Sequence, residues 1–260
     1  MIPTRVIPTL LLKGEGLVKT VAFQKPIYLG DPRNTVRIFN EKEVDELVLL
    51  DITATPNGHA PRLDLIREIV DEAFMPVAYG GGIRTVDEAR AVLALGVEKV
   101  VLCTHAVRDP GLVAACAEQF GSSSVVVCLD VRRSMFGKVE AYVAGAKERT
   151  RQDPVDLARE MVRRGAGELI VHAVDRDGAM GGYDLKLTRS VSDAVPVPVI
   201  ALGGAGSLQD FASAVTEGGA AAVAAGSFFV YQGRHRAVLI SYPDAGVLRE
   251  LLPAGYPPRV

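Results

Sequence analysis

Short runs of almost uniformly apolar, β-branched residues recur along this chain. Between them lie longer stretches in which apolar residues return every three or four positions. The short runs fall near residues 5–11, 46–51, 76–79, 98–103, 124–130, 168–174, 198–202 and 221–225. A strand half exposed to water alternates, whereas one covered on both faces stays apolar throughout. The intervening stretches have helical spacing, as in Asp64–Glu72 (DLIREIVDE) and Pro154–Arg164 (PVDLAREMVRR). Asp153 is placed to cap the second of these, with Pro154 at its first helical position. Glycines such as Gly96 and Gly165 stand where helices should stop. Eight buried strands, each feeding a helix, predict an α/β protein with a single (β/α)8 barrel, the TIM-barrel fold.

The second half of the chain repeats the first. Pro76–Gly82 (PVAYGGG) lies over Pro198–Gly204 (PVIALGG), and Glu46–Leu49 (ELVL) lies over Glu168–Val171 (ELIV) at the same spacing. Two duplicated half-barrels close into one domain, not two. That domain is expected over residues 1–241, followed by a C-terminal extension over 242–260. The extension carries one helical fragment, Val247–Leu252, and otherwise reads as a loose tail. The copies differ at one telling position. Val125–Asp130 (VVVCLD) ends in a carboxylate, whereas Val6–Leu11 (VIPTLL) ends in leucine.

Composition narrows the function. The chain has 260 residues, is 48% apolar and carries a net charge of −2, so it can bury a large core and offers no basic field for nucleic acid. No apolar run approaches the ~20 residues that span a bilayer. Met1–Arg5 (MIPTR) does not resemble a signal peptide. The three cysteines, Cys103, Cys116 and Cys128, lie in apolar segments and read as buried thiols, which suits the cytoplasm. No Cys/His spacing suggests a metal site, the histidines are scattered, and neither a metal nor a cofactor is expected.

Chemistry in such a barrel gathers at the C-terminal ends of the strands. Gly80, Gly81 and Gly82 follow the third strand, and Gly203, Gly204 and Gly206 follow the seventh. With Thr104 after the fourth strand, and Ala225, Gly226 and Ser227 at the end of the eighth, they form two groups suited to phosphate oxygens. The same glycines also suit tight βα turns. Four carboxylates collect at this end: Asp51, Asp130, Asp175 and Asp177. Each could serve acid–base chemistry, although Asp177 beside Gly178 equally suits a turn. Leu11 cannot supply the second acid across the barrel. At the opposite end, Arg5, Glu46, Lys99 and Glu168 start the first, second, fourth and sixth strands. They read either as ordinary solvated strand ends or as a charged ring over a hole in the floor.

Taken together these residues resemble the HisF family, the cyclase subunit of imidazole glycerol phosphate synthase. The resemblance runs from about Arg5 to Phe229. It rests on Leu50–Ala54 (LDITA), Gly80–Ile83 (GGGI), Asp175–Gly178 (DRDG) and Gly203–Gly206 (GGAG) in this order. It implies a duplicated half-barrel that binds a bis-phosphorylated substrate, PRFAR. With ammonia this is converted to imidazole glycerol phosphate and AICAR. It also implies a HisH-like glutaminase docked on the floor as a heterodimer. By the resemblance, the two catalytic aspartates map to position 11 and Asp130, and a further active-site aspartate maps to Asp177. The loop lysine maps to Lys19, the ammonia gate to Arg5, Glu46, Lys99 and Glu168, and an acidic docking residue to Glu98.

The departures cluster at the mouth. Leu11 replaces the first aspartate, Cys103 an asparagine, His172 a threonine and Leu202 a serine. His172 reads as a histidine packed in the wall or as a substitute proton-transfer group, and His105 as a surface histidine. A branch associated with surface-polysaccharide genes and sugar amidation, the WbuZ-type second copies, is similar still more closely. Ile7–Lys13 (IPTLLLK), Leu17–Val21 (LVKTV), Tyr28–Pro32 (YLGDP), Ala201–Ser207 (ALGGAGS) and Arg236–Ile240 (RAVLI) carry that likeness. The branch implies ammonia delivery from a glutaminase to a separate sugar amidotransferase, a role that needs the gate and not an acid at position 11. The alternatives are the cyclase of histidine biosynthesis with its missing acid replaced, and a barrel with another chemistry on a phosphorylated substrate.

Overall fold

A computed structural model describes residues 4–134, 137–233 and 235–252. Eight parallel strands close into a barrel: β1 Arg5–Lys13, β2 Leu47–Asp51, β3 Val77–Gly80, β4 Lys99–Leu102, β5 Val125–Arg133, β6 Glu168–Ala173, β7 Val199–Leu202 and β8 Ala222–Ala225. The closing seam pairs Arg5 with Ala222 and Pro8 with Ala225. Every strand anticipated from the apolar runs is present. Alternation along each strand divides the core in two. Val6, Leu10 and Leu12 of β1 face outward into the shell packed under the helices, while Ile7 joins Val48, Val101, Val126, Ile170 and Ile200 inside the bore.

The duplication extends to the helix caps. Asp31 accepts from the backbone N–H groups of Arg33 and Asn34 before helix Pro32–Glu41, and Asp153 accepts from Val155 and Asp156 before Pro154–Arg163. Thr85 with Glu88, and Ser207 with Asp210, form capping boxes on Val86–Leu93 and Leu208–Thr216. These contacts satisfy N–H groups that a helix start leaves unpaired. Gly96 and Gly165 sit at φ of 95° and 103°, as chain reversals after helices require. The helix expected within Asp64–Glu72 forms over Leu63–Val70.

Two features depart from expectation. β1 and β5 overrun the barrel into antiparallel hairpins, Gly16–Val21 with Gln24–Gly30 and Val139–Val143 with Glu148–Arg149. Their arms mix charged and apolar residues, so no apolar run announces them. The segment after Tyr242 is also not loose over 242–252. The Tyr242 ring stacks on Phe229, and its hydroxyl donates to the Val6 carbonyl at 2.8 Å. Helix Ala245–Leu251 is capped by Asp244 and buries Leu248. Residues 253–260 lie outside the described residues. Among the described residues, no helix is long and apolar enough to cross a membrane.

Candidate functional site

The floor of the barrel is closed by charge. Arg5 bridges Glu46 and Glu168, and Lys99 Nζ reaches both carboxylates at 3.1 Å. Glu46 and Glu168 are buried, with 3% and 5% exposure. Burial alone would lower the Arg5 pKa, but Glu168 first and then Glu46 outweigh it and hold the guanidinium charged. Each acid therefore meets two cations, and the four residues form one ring directly beneath the apolar bore. They are not solvated strand ends. Glu98 is exposed beside Lys99.

At the other end a cavity of about 230 Å³ opens between the strand ends. Its lining includes Leu11, Asp51, Gly81, Gly82, Cys103, Thr104, Asp130 and His172. Gly81, at φ 128°, shows why glycine is needed: a Cβ there would stand 2.6 Å from the Asp51 carbonyl oxygen. One oxygen of Asp51, Oδ1, holds the following turn, and Oδ2 faces Arg62 at 3.5 Å. Oδ1 accepts from the Thr53 backbone and hydroxyl at 2.8 and 2.6 Å and from the Ala54 N–H at 3.2 Å. The Thr104 hydroxyl accepts from the Ala144 N–H of the second hairpin at 3.0 Å.

The first of the two glycine groups thus faces the cavity. Gly203, Gly204, Ala225 and Gly226 are not among the residues that line it. Gly226 lies against the first hairpin, where a Cβ would sit 3.0 Å from Lys19 Cε. Asp175 does not line this cavity; it pairs with Arg132 at 3.0 Å and accepts from the Arg133 N–H at 2.7 Å.

His172 is the centre of the mouth. It is 4% exposed; its Nδ1 lies 3.2 Å from Asp130 Oδ1 and its Nε2 3.8 Å from Asp177 Oδ1. Burial opposes its protonation, but contact with Asp130 and the charge of Asp177 win and raise its pKa to about 9. Asp177 does not shape its own turn. It takes Lys19 Nζ at 2.9 and 3.0 Å and the Thr20 hydroxyl at 3.1 Å. Burial would raise the Asp177 pKa, yet His172 and Lys19 depress it below the ordinary carboxylate range. The hairpin that carries Lys19 also lays Phe23 against His172, ring centroids 5.0 Å apart. The ring is thus both packed in the wall and held between two carboxylates at the cavity. His105, expected on the surface, is half-buried and lines the same cavity because Thr104–Arg108 forms a short helix at its rim.

Cys128, read in the sequence only as a buried thiol, is buried and also lines the cavity. It stands two residues before Asp130, so strand alternation puts both side chains on the inner face. Its thiol pKa is pushed well up, first by hydrogen bonding with Cys103 and then by burial and the Asp130 charge. Cys103 Sγ, Cys128 Sγ and an Asp130 oxygen lie within 4.8 Å of one another, a grouping of metal-ligand types that linear spacing hid.

A closed eight-stranded (β/α)8 barrel with polar groups gathered at the C-terminal ends of its strands is a TIM barrel. The chain belongs to the Histidine biosynthesis protein family, which matches residues 5–236. It is 47% identical over 248 residues to the Pseudomonas aeruginosa protein named imidazole glycerol phosphate synthase subunit hisF2, covering 95% of this chain and 99% of that one. It is 44% identical over 245 residues to a HisF-named protein of Leptospira interrogans, covering 94% and 96%. Both of those names are provisional. The imidazole glycerol phosphate synthase subunit HisF of Alkaliphilus metalliredigens is 44% identical over 231 residues, covering 89% and 92%.

Proposed function

We propose that this chain is the ammonia-receiving subunit of a glutamine amidotransferase pair. A HisH-like glutaminase docks on the floor around Glu98, ammonia passes the ring of Arg5, Glu46, Lys99 and Glu168, and it travels the bore to the mouth. The ammonia is then delivered to a separate amidotransferase for amidation of a nucleotide-linked sugar. One observation carries this reading: the floor keeps a complete charged ring under an apolar bore, while position 11 at the mouth is Leu11, buried to 6% exposure. A small neutral molecule suits a bore lined by Ile7, Val48, Val101, Val126, Ile170 and Ile200. Loss of an acid–base group removes a rate contribution of about 10²–10⁴.

A second reading is favoured by His172 alone. Held between Asp130 and Asp177 at the cavity, it is a candidate to replace the missing acid in a true cyclase. An ammonia-driven assay with PRFAR on the purified chain, without a partner, separates the two. The ammonia-delivery reading expects no turnover in a folded sample. Turnover at the rate of a cyclase would overturn it and make His172 the residue to substitute. With a HisH-like glutaminase added, Lys99→Met should abolish stimulation of glutamine hydrolysis under the first reading.

A further inference from the structure

Neither reading uses the two cysteines at the mouth. Leu102 of β4 pairs with Val127 of β5, so Cys103 and Cys128 stand side by side on neighbouring strands, with Asp130 one inward position further along. Cys103 Sγ is 3.5 Å from Asp130 Oδ2, and Cys128 Sγ is 3.8 Å from Asp130 Oδ1. Sulfur ligands at about 2.3 Å and an oxygen ligand at about 2.0 Å from a tetrahedral zinc ion are separated by about 3.5–3.8 Å. Both sulfur–oxygen distances are of that size, one to each Asp130 oxygen, and one ligand atom from each of the three residues lies within 4.8 Å of the others.

We propose that Cys103, Cys128 and Asp130 form a binding site for a thiophilic divalent cation of the size and preference of zinc. Its fourth position opens to the mouth cavity, which all three residues line. Two sulfurs select against magnesium and calcium, which take oxygen ligands. Three protein ligands with one open position is the pattern of a site that binds or polarises a small molecule, whereas a purely structural site is closed by four. A supporting shell is present. His172 Nδ1 contacts Asp130 Oδ1 from behind, as groups that orient metal ligands do. On its other side His172 Nε2 faces Asp177 Oδ1 at 3.8 Å, so Asp177 holds the ring in the orientation that meets Asp130. On binding, each thiol loses its proton to solvent as its sulfur forms a dative bond, and no electron is transferred. Such an ion would withdraw Asp130 from proton transfer and offer a Lewis acid at the same place.

The test uses the full chain, purified under reducing conditions and made metal-free. Zn²⁺ is titrated against a chromophoric competitor, and Co²⁺ serves as the spectroscopic probe. The expected result is about one ion per chain and a cobalt–thiolate charge-transfer band. Cys103→Asn and Cys128→Ala should each remove the band and weaken Zn²⁺ binding by more than about 100-fold, and His172→Gln by about 10–100-fold. Circular dichroism of the metal-free variants checks that they fold. In the unmodified chain, Zn²⁺ should slow alkylation of Cys103 and Cys128, a readout that does not depend on any variant folding. No thiolate band in the folded, reduced chain would overturn the proposal. So would Zn²⁺ binding that survives both cysteine substitutions, or alkylation that Zn²⁺ leaves unchanged.

Discussion

The floor and the mouth of this barrel are built from the same eight strands, yet they handle charge differently. At the floor, two acids and two cations neutralise one another in a ring, and each carboxylate contacts both partners. At the mouth, Lys19, Asp177, His172 and Asp130 run in a line, and the line ends on two thiols. A ring shares the loss of any member among its neighbours, whereas a chain passes a change from one end to the other. The floor is thus suited to staying closed and the mouth to being altered by whatever binds there.

Substitutions can sharpen or break that contrast. The largest effect is expected at the mouth. Asp177→Asn leaves the buried Lys19 ammonium without a counter-charge, and loss of one partner of a buried pair costs about 3–5 kcal/mol. The pH dependence is fixed in sign. Asp177 has a depressed pKa, so its contribution is complete above the unfolded value of about 3.9 and is lost as pH falls through the folded one. Urea midpoints of wild type and variant should differ fully from about pH 5 upward, and the gap should begin to shrink only below about pH 4, closing as pH falls through the depressed folded value. A gap that did not narrow at all as pH falls below about 4 would show that the Asp177 charge is not its source.

Next in size is Glu46→Ala at the floor. Glu168 remains to hold Arg5 and Lys99, so the loss should fall at the low end of the same range, about 3 kcal/mol by urea denaturation. A loss greater than that of Asp177→Asn would reverse the ring-versus-chain distinction. Leu11→Ala comes third at about 2 kcal/mol, since the side chain already borders a cavity that can hold water. The smallest pair compares the two half-barrels. Asp31→Ala and Asp153→Ala remove equivalent helix caps and should each cost about 1 kcal/mol. Unequal losses would show that the duplicated halves have drifted apart in stability as well as in chemistry.

The barrel was legible because a strand buried on both faces is apolar through its middle, and the charged residues of β1 to β8 stand only at the floor or toward the mouth. Asp153 and Pro154 announced their helix start for an equally local reason. The hairpins were not legible, since Gly16–Gly30 and Val139–Arg149 are only half covered and carry lysines and glutamates among their apolar residues. Of the site, Asp130 stood out as the charged end of an apolar run, and His172 as a residue whose partners were hidden. Its role depends on Asp130 one strand away and on Asp177 in the following turn, distances that no single-strand pattern encodes. Tyr242 was misjudged for a related reason. Pro and Gly around it signal a loop, and a loop can still dock when one aromatic ring finds a partner such as Phe229.

The seam that closes the barrel joins the first strand to the last, and Tyr242 ties across it to the Val6 carbonyl. During synthesis, β1 can pair with β2 as soon as Asp51 has emerged, but its other edge has no partner until Ala222–Ala225 follow. For most of the time the ribosome spends on this chain, that edge remains a row of unpaired N–H and C=O groups, open to pairing with another chain. The long separation along the chain also places closure late in folding. Truncation before residue 242 removes the Tyr242 tie across this seam and should aggregate more than the size of the deleted piece suggests.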